Sequence, residues 1–287
     1  MNILEQFVIP PNQEHVGLLT VMQILSLLTF LPFVGIMLGS TIFSVYFNKK
    51  GKKTGSAIYG RIAKDIIDKL TVGKAAGFAL GILPLFTIVL VYAQMLYGAK
   101  VISTSLLFLS LIIYIVAFIF IYNYKSAFQI ETVINSLKTG NDVPEETKQY
   151  EKKINYLGTR YGNWGIAALL TASFLFIGST TIAAKPDIWS SVDNILKLLI
   201  SAPIWINFLF FLAASFAITG GAMLYLFFVW QGGVKNVSDE YKEIIKKTAV
   251  SSALIGSLIQ PVFIFAGTLF VPAASSSSGF YAFAGFT

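Results

Sequence analysis

Long apolar runs separated by short polar segments dominate the chain. The clearest run is 201–230, in which thirty consecutive residues carry no charged side chain. A helix rises about 1.5 Å per residue, so roughly 20 apolar residues cross a hydrocarbon core about 30 Å thick. The run is therefore long enough to span a membrane as one helix.

The same pattern predicts an all-α polytopic membrane protein with six transmembrane helices. The predicted spans cover roughly residues 16–47, 75–98, 101–123, 163–184, 201–230 and 248–271. The polar segment 124–161 is expected to contain helical extensions, and 231–247 is predicted to be a short charged loop. We expect a six-helix membrane domain at 1–271, followed by an outer tail at 272–287 that is rich in serine and aromatic residues.

Two shorter segments are amphipathic rather than uniformly apolar. Residues 58–70, IYGRIAKDIIDKL, place apolar side chains at nearly helical spacing within a basic loop. Residues 186–200, PDIWSSVDNILKLLI, form a second segment of this kind, with Trp189 expected at the level of the lipid headgroups. Both are predicted to be interfacial helices.

Small residues and prolines inside the spans predict where helices approach one another. Gly35 and Gly39 in helix 1, and Gly220 and Gly221 in helix 5, allow a neighbouring helix to come close. Pro32 predicts a kink in helix 1, because proline cannot donate a backbone hydrogen bond.

The composition is typical of a membrane protein and excludes several kinds of cofactor and metal site. The chain is 55% hydrophobic and 12% charged, whereas soluble domains carry about 25% charged residues. It has no cysteine, which excludes disulfides, thiolate metal sites and covalent haem attachment through cysteine. Its one histidine, His15, cannot build a multi-haem site within this chain alone.

The positive charge is distributed unevenly between the predicted loops. Of the 21 Lys and Arg residues, eighteen follow helices 1, 3 and 5, and the other three are Lys100, Lys185 and Lys197. The positive-inside rule then places both termini on the outer side. This asymmetry explains the net charge of +7, so no nucleic-acid partner is expected. The basic run at 49–53 is expected to face anionic lipid.

Five segments of the chain carry a resemblance to a known family. Four lie in the last third: NILKLLISAPIWINF, AITGGAMLYLFF, KNVSDEYKEIIKK and AVSSALIGSLIQPVFIFAG. The fifth, IYGRIAKDIIDKLTVGKAAGFALG, ends in the pair Gly77 and Gly81. Together they resemble subunit I of the cytochrome bd quinol oxidases, whereas 100–185 matches only in length and hydropathy. The resemblance implies a six-helix domain with both termini outside, in the bacterial inner (cytoplasmic) membrane.

The positions that match the family's cofactor ligands carry other residues. Phe30 stands near the family's histidine for a high-spin haem, and Ile206 and Asn207 stand where the low-spin haem histidine would be. Helix 2 lacks the family's glutamate, and the chain ends at Thr287, before the counterpart of the quinol-binding loop. The resemblance implies a divergent, truncated member that does not act alone as a three-haem oxidase.

His15 is the one candidate cofactor ligand. A neutral imidazole ligates haem iron. His15, at the outer end of helix 1, could therefore complete the coordination of a haem held at a boundary with another subunit. The alternative is a surface histidine that is hydrogen-bonded to a neighbour or to Glu14. No catalytic residue and no metal site are predicted.

Other polar or sulfur-bearing residues in the spans have structural alternatives. Met22, Met37, Met95 and Met223 could ligate haem through sulfur, although packing is the commoner role of methionine. Tyr92, Gln94, Tyr97 and Tyr225 could line a polar path or a quinone pocket, or could belong to an interfacial aromatic belt. Asn207 and Gln260 are expected to form hydrogen bonds between helices.

These observations favour a haem-poor or haem-free membrane subunit of a respiratory or electron-transfer complex. Such a subunit would scaffold other membrane subunits and dock a periplasmic cytochrome c or a haem-bearing homologue. The lipid bilayer is the other expected partner, and the chain is not expected to be catalytic alone. The alternatives are a six-helix channel or carrier for a neutral solute, and a pure membrane anchor for a secreted cytochrome.

Overall fold

The computed structural model describes residues 13–97, 99, 101–137, 145–192, 194–235 and 237–270. The tail predicted at 272–287 lies outside the described residues. The helices, numbered in chain order, are α1 (Gln13–Thr54), α2 (Ala57–Leu70), α3 (Lys74–Met95), α4 (Ser103–Leu137), α5 (Glu145–Ala183), α6 (Ile195–Ile200), α7 (Ala202–Leu224) and α8 (Asp239–Thr268).

Within the described residues, six helices are long and apolar enough to cross a membrane: α1, α3, α4, α5, α7 and α8. The predicted number of spans and the all-α class are therefore confirmed. With 42 residues, α1 is about 63 Å long, twice the thickness of the hydrocarbon core. It therefore reaches well beyond the apolar layer at one end or both.

Several helix boundaries differ from the predicted ones. The expected extensions within 124–161 are confirmed, because α4 continues to Leu137 and α5 begins at Glu145. The predicted loop 231–247 is wrong in extent, since α8 already begins at Asp239. The side chain of Ser238 starts that helix by accepting a hydrogen bond from the backbone nitrogen of Tyr241.

The two amphipathic segments fold differently from each other. The first is α2, whose apolar side includes the buried residues Ile62, Ile66 and Ile67, so the prediction of a helix is confirmed. The second is not one helix: a short 3₁₀ turn at Pro186–Ile188 is followed, after a break, by the six-residue α6. The break occurs where Asn194 accepts a hydrogen bond from the backbone of Lys197 and starts α6.

Helix α1 is the central element, in contact with α2, α3, α5 and α7. Helices α4 and α5 form one closely packed pair, and α7 and α8 form another. Buried hydroxyl groups connect the first pair: Ser103 and Ser179 lie 3.0 Å apart between their Oγ atoms. The Tyr114 and Ser173 oxygens lie 2.9 Å apart. These contacts satisfy polar groups where no water is available.

Glycines mark the closest helix contacts. A Cβ at Gly35 would lie 3.2 Å from Ser215 Oγ, and a Cβ at Gly39 would collide with Thr219. A Cβ at Gly220 would lie 2.5 Å from the carbonyl oxygen of Ala249. The predicted contact role is thus confirmed at these three positions. At Gly221 it is wrong, because a Cβ there would meet nothing within 4 Å; that residue faces away from α8.

The loops rich in Lys and Arg gather at one end of the bundle. Lys52 donates to Thr159 Oγ1 at 2.7 Å and Lys64 donates to Thr132 Oγ1 at 2.8 Å. These bonds join the end of α1 to the extension of α5, and α2 to the extension of α4. At the other end, Lys185 donates to the carbonyl oxygen of Phe270 at 2.7 Å. Among the described residues, Lys52 and Lys64 therefore lie at the opposite end of the bundle from Lys185.

We expect Gly220→Ala to destabilise the protein and Gly221→Ala to leave it as stable or slightly more stable. The added methyl group at Gly220 meets the backbone of α8, and such overpacking costs about 1–3 kcal/mol. At Gly221 there is open space, and alanine favours the helix over glycine by about 0.5–1 kcal/mol. Thermal unfolding in mild detergent measures both variants, and equal melting temperatures would contradict the close α7–α8 contact.

Candidate functional site

His15 lies in the first turns of α1, where its Nε2 atom is 3.2 Å from Oε1 of Gln94 near the end of α3. The contact is exposed. Of the alternatives raised by the sequence, the structure shows the hydrogen bond to a neighbour, and that neighbour is Gln94. A role for His15 as a haem ligand at a subunit boundary stays a prediction. In the part of the chain that the structure describes, no group of three His, Cys, Asp or Glu residues could hold a metal ion.

A second neutral contact joins the same two helices deeper in the bundle. Gln23 donates to the Tyr92 hydroxyl at 2.7 Å, in a partly buried position. Gln94 and Tyr92, two of the residues considered for a polar path, therefore each contact α1. Tyr97 and Tyr225, the other two, are each 49% exposed. The structure brings together Tyr92 and Gln94 along α3 but not Tyr225, which lies at the end of α7.

The bundle interior at Phe30 is filled by aromatic side chains. Phe30 is fully buried, with its ring centroid 5.2 Å from that of Tyr114 and 5.0 Å from that of Phe176. The Tyr114 hydroxyl is already hydrogen-bonded to Ser173. These residues do not fit a haem at this level, because they offer no imidazole or thioether ligand and occupy the space themselves.

At the position of the second expected haem ligand, the structure has an uncharged hydrogen bond between two helices. Asn207 in α7 donates from Nδ2 to Oγ1 of Thr181 in α5 at 2.9 Å, which confirms the expected bond between helices. Two of the four span methionines, Met37 and Met223, are almost fully buried in the main apolar core, in agreement with a packing role. The core at these positions is held together by packing and by uncharged hydrogen bonds.

A cavity of about 300 Å³ lies beside Asn207, between α1, α5 and α7. Its wall includes Pro32, Thr180, Phe211 and Ser215. The hydroxyl groups of Thr180 and Ser215 donate to carbonyl oxygens of their own helices. The polar groups of this cavity are thus one amide and several hydroxyls, which suits an uncharged ligand and offers nothing for catalysis by proton transfer.

The polar end of the bundle contains a cluster of carboxylates and their partners around α2. Tyr241 in α8 donates from its hydroxyl to Oδ2 of Asp65 at 2.6 Å, and Arg61 lies 3.7 Å from the same oxygen. This contact connects α2 to the start of the last span. It joins residues that are 176 positions apart in the sequence.

Lys125 of α4 binds the C-terminal end of α2. Its Nζ atom donates to the backbone carbonyl of Asp68 at 3.0 Å and also to that of Thr71, which satisfies carbonyl groups at the helix C-terminus. The Asp68 carboxylate lies 4.0 Å from Lys125, and its Oδ1 atom is buried without a hydrogen bond. Burial raises the pKa of Asp68, with the nearby Lys125 acting in the opposite direction.

The sequence predicted the α2 helix but not its attachments. Asp65 and Asp68 stand three residues apart on α2 within an otherwise basic segment. Their negative charge in this basic segment was the one local indication that they have specific partners. Nothing in the local pattern identifies Tyr241 or Lys125 as the partners. These pairings depend on how distant helices meet at the end of the bundle.

Comparison of the chain with known protein families, with curated proteins and with solved structures finds no match. The resemblance to bd-oxidase subunit I therefore stays a prediction based on the sequence segments.

We expect Tyr241→Phe and Asp65→Asn each to destabilise the attachment of α2 to α8 by about 1–3 kcal/mol, because a hydrogen bond to a charged group is lost. In the double variant the two losses should not add, since both variants remove the same interaction. Thermal unfolding of the four proteins gives the coupling energy. Tyr225→Phe, at an exposed tyrosine, is the matched control, and fully additive losses would contradict the contact.

We expect Asp68→Asn to stabilise the protein at pH 7 by less than about 1 kcal/mol. Because burial raises the pKa of Asp68 in the folded state, the folded state binds this proton more tightly than the unfolded state. The resulting stabilisation is complete below the unfolded pKa of about 3.9 and is lost as pH rises through the folded value. The advantage of the amide should therefore disappear toward pH 4.

Melting temperatures measured from pH 4 to pH 8 test this expectation. Asp239→Asn is the control, because that carboxylate is fully exposed beside Lys242. Lower stability of Asp68→Asn at pH 7 would mean that the attraction of Lys125 outweighs the burial of the Asp68 carboxylate.

Proposed function

We propose that the chain is a haem-free membrane subunit, similar in architecture to subunit I of the bd oxidases, that scaffolds a larger electron-transfer assembly. Its outer face docks a periplasmic cytochrome or a homologous haem-bearing subunit. The observation that carries the proposal is the aromatic packing around Phe30, which fills one level where the resemblance would place a haem ligand. At the level of the other ligand, Asn207 is hydrogen-bonded to Thr181. Chemistry performed by the assembly would then belong to its other subunits.

The orientation in the membrane follows from the charged ends. The end that gathers Lys52, Lys64 and Arg61 faces the cytoplasm under the positive-inside rule. The end with His15 and Lys185 then faces the periplasm, in the inner membrane of a bacterium. This orientation places His15 on the side where a periplasmic cytochrome would bind.

The last span provides a surface for neighbouring subunits. Only 17% of the most apolar part of α8 is buried within the protein, because α8 packs mainly on α7. Its outward side chains include Leu258, Val262 and Phe265, which are 74%, 62% and 73% exposed. An apolar surface of this extent in a membrane is covered by lipid or by another subunit, and the scaffold role assigns part of it to another subunit.

The cavity beside Asn207 favours a second candidate function. A volume of about 300 Å³ with an amide and hydroxyl groups in its wall could bind a small neutral solute between α1, α5 and α7. A carrier for such a solute would act without partner subunits, whereas a scaffold would not.

We expect absorption spectra and pyridine haemochrome measurements to detect haem in the protein isolated from its native membrane with its partners, but not in the chain expressed alone. The reason is that His15 is the one histidine of the chain and that aromatic side chains fill the interior at Phe30. His15→Ala should change the haem spectrum of the native preparation if His15 is a ligand. Gln94→Ala is the matched control, since it removes the hydrogen bond to His15 without removing the imidazole.

The other outcomes separate the candidates. Haem bound stoichiometrically by the isolated chain would overturn the haem-free assignment. Absence of haem and of any cytochrome from the native preparation would overturn the scaffold role. If the isolated chain instead moved a neutral solute into liposomes, and Asn207→Leu abolished that transport, the carrier would be supported.

A further inference from the structure

We propose that a groove between α7 and α8 binds one acyl chain of an anionic phospholipid, whose headgroup lies beside Lys247 at the polar end of α8. This site is independent of the scaffold role proposed above. The groove has a volume of about 470 Å³ and is lined by Phe43 of α1 and Phe216 of α7. Ile255, Ile259 and Phe263 of α8 also line it.

The dimensions of the groove select the occupant. Thr248 and Phe263 line its length and are fifteen positions apart, which corresponds to about 22 Å along a helix. A groove of this length and of about 470 Å³ suits an extended hydrocarbon chain that lies along α7 and α8.

The chemistry of the wall also suits a hydrocarbon chain. Almost all of the lining is apolar, and its hydroxyl groups lie at the end near Thr248. There Ser252 donates to the carbonyl oxygen of Phe216, and Thr248 donates to that of Ile244. Two of the three lining hydroxyls are thereby hydrogen-bonded within the protein, and the rest of the groove beyond them is lined by apolar residues.

The charge at the open end selects an anionic headgroup. Lys247 lies one helical turn before Ser251, which lines the groove, so the two share a face of α8. Lys246 and Lys247 are exposed, and among the described residues neither forms a salt bridge. Basic side chains at the membrane surface attract anionic lipid, and a headgroup bound there would place its acyl chain at the groove entrance.

The test is to titrate the purified full-length protein in mild detergent with phosphatidylglycerol or phosphatidylcholine and to count retained lipids by native mass spectrometry. We expect one phosphatidylglycerol per chain to be retained in preference to phosphatidylcholine. Ile255→Trp should fill the groove and reduce retention by about tenfold. Leu254→Trp is the matched control, because Leu254 is an equally exposed neighbour outside the groove lining.

The charge requirement is tested separately. Lys247→Gln should remove the preference for phosphatidylglycerol, whereas Lys153→Gln, at an exposed lysine of α5, should not. Equal retention of both lipids by the unmodified protein would overturn the anionic headgroup assignment. Unchanged retention in Ile255→Trp would overturn the groove as the site. A dimer that Ile255→Trp dissociates would assign the groove to a second copy of the chain and would also overturn the proposal.

Discussion

The absence of water from the bilayer core is the constraint on which this structure depends. Each backbone polar group in a span must be paired within the helix, and a charged side chain there would be costly. The described spans meet this constraint with uncharged contacts, such as Ser103 with Ser179 and Asn207 with Thr181. Since lipid tails are as apolar as the helix surfaces, helix association depends on close packing. Gly35, Gly39 and Gly220 allow that packing.

The same constraint moves charged chemistry to the two ends of the bundle. At the basic end, α2 is attached through Asp65 to Tyr241 and through its C-terminal carbonyls to Lys125. At the other end, the buried pair of Ser103 and Ser179 lies beside exposed contacts such as that of His15 with Gln94. In the proposed function, this end is the one that docks a partner.

The packing of the bundle interior bears on whether the chain itself could bind haem. A haem-binding bundle needs a ligand and a space, and the level of Phe30 offers neither, because Phe30, Tyr114 and Phe176 pack against one another. The cavity near Asn207 is small and has uncharged walls. In the proposed function the chain contributes surface to an assembly, and that surface includes the exposed face of α8.

The sequence by itself determined the six spans, the amphipathic α2 and the concentration of Lys and Arg in alternate loops, because hydropathy and charge are local properties of the chain. It also indicated close contacts at Gly35 and Gly220. Only the tertiary structure decided that Gly221 faces away from α8 and that Tyr241 and Lys125 are the partners of α2. It also showed that the segment 186–200 is not one helix but a 3₁₀ turn followed by the short α6. Those outcomes depend on the rotation of each helix about its axis and on which helices become neighbours, and packing between distant segments fixes both.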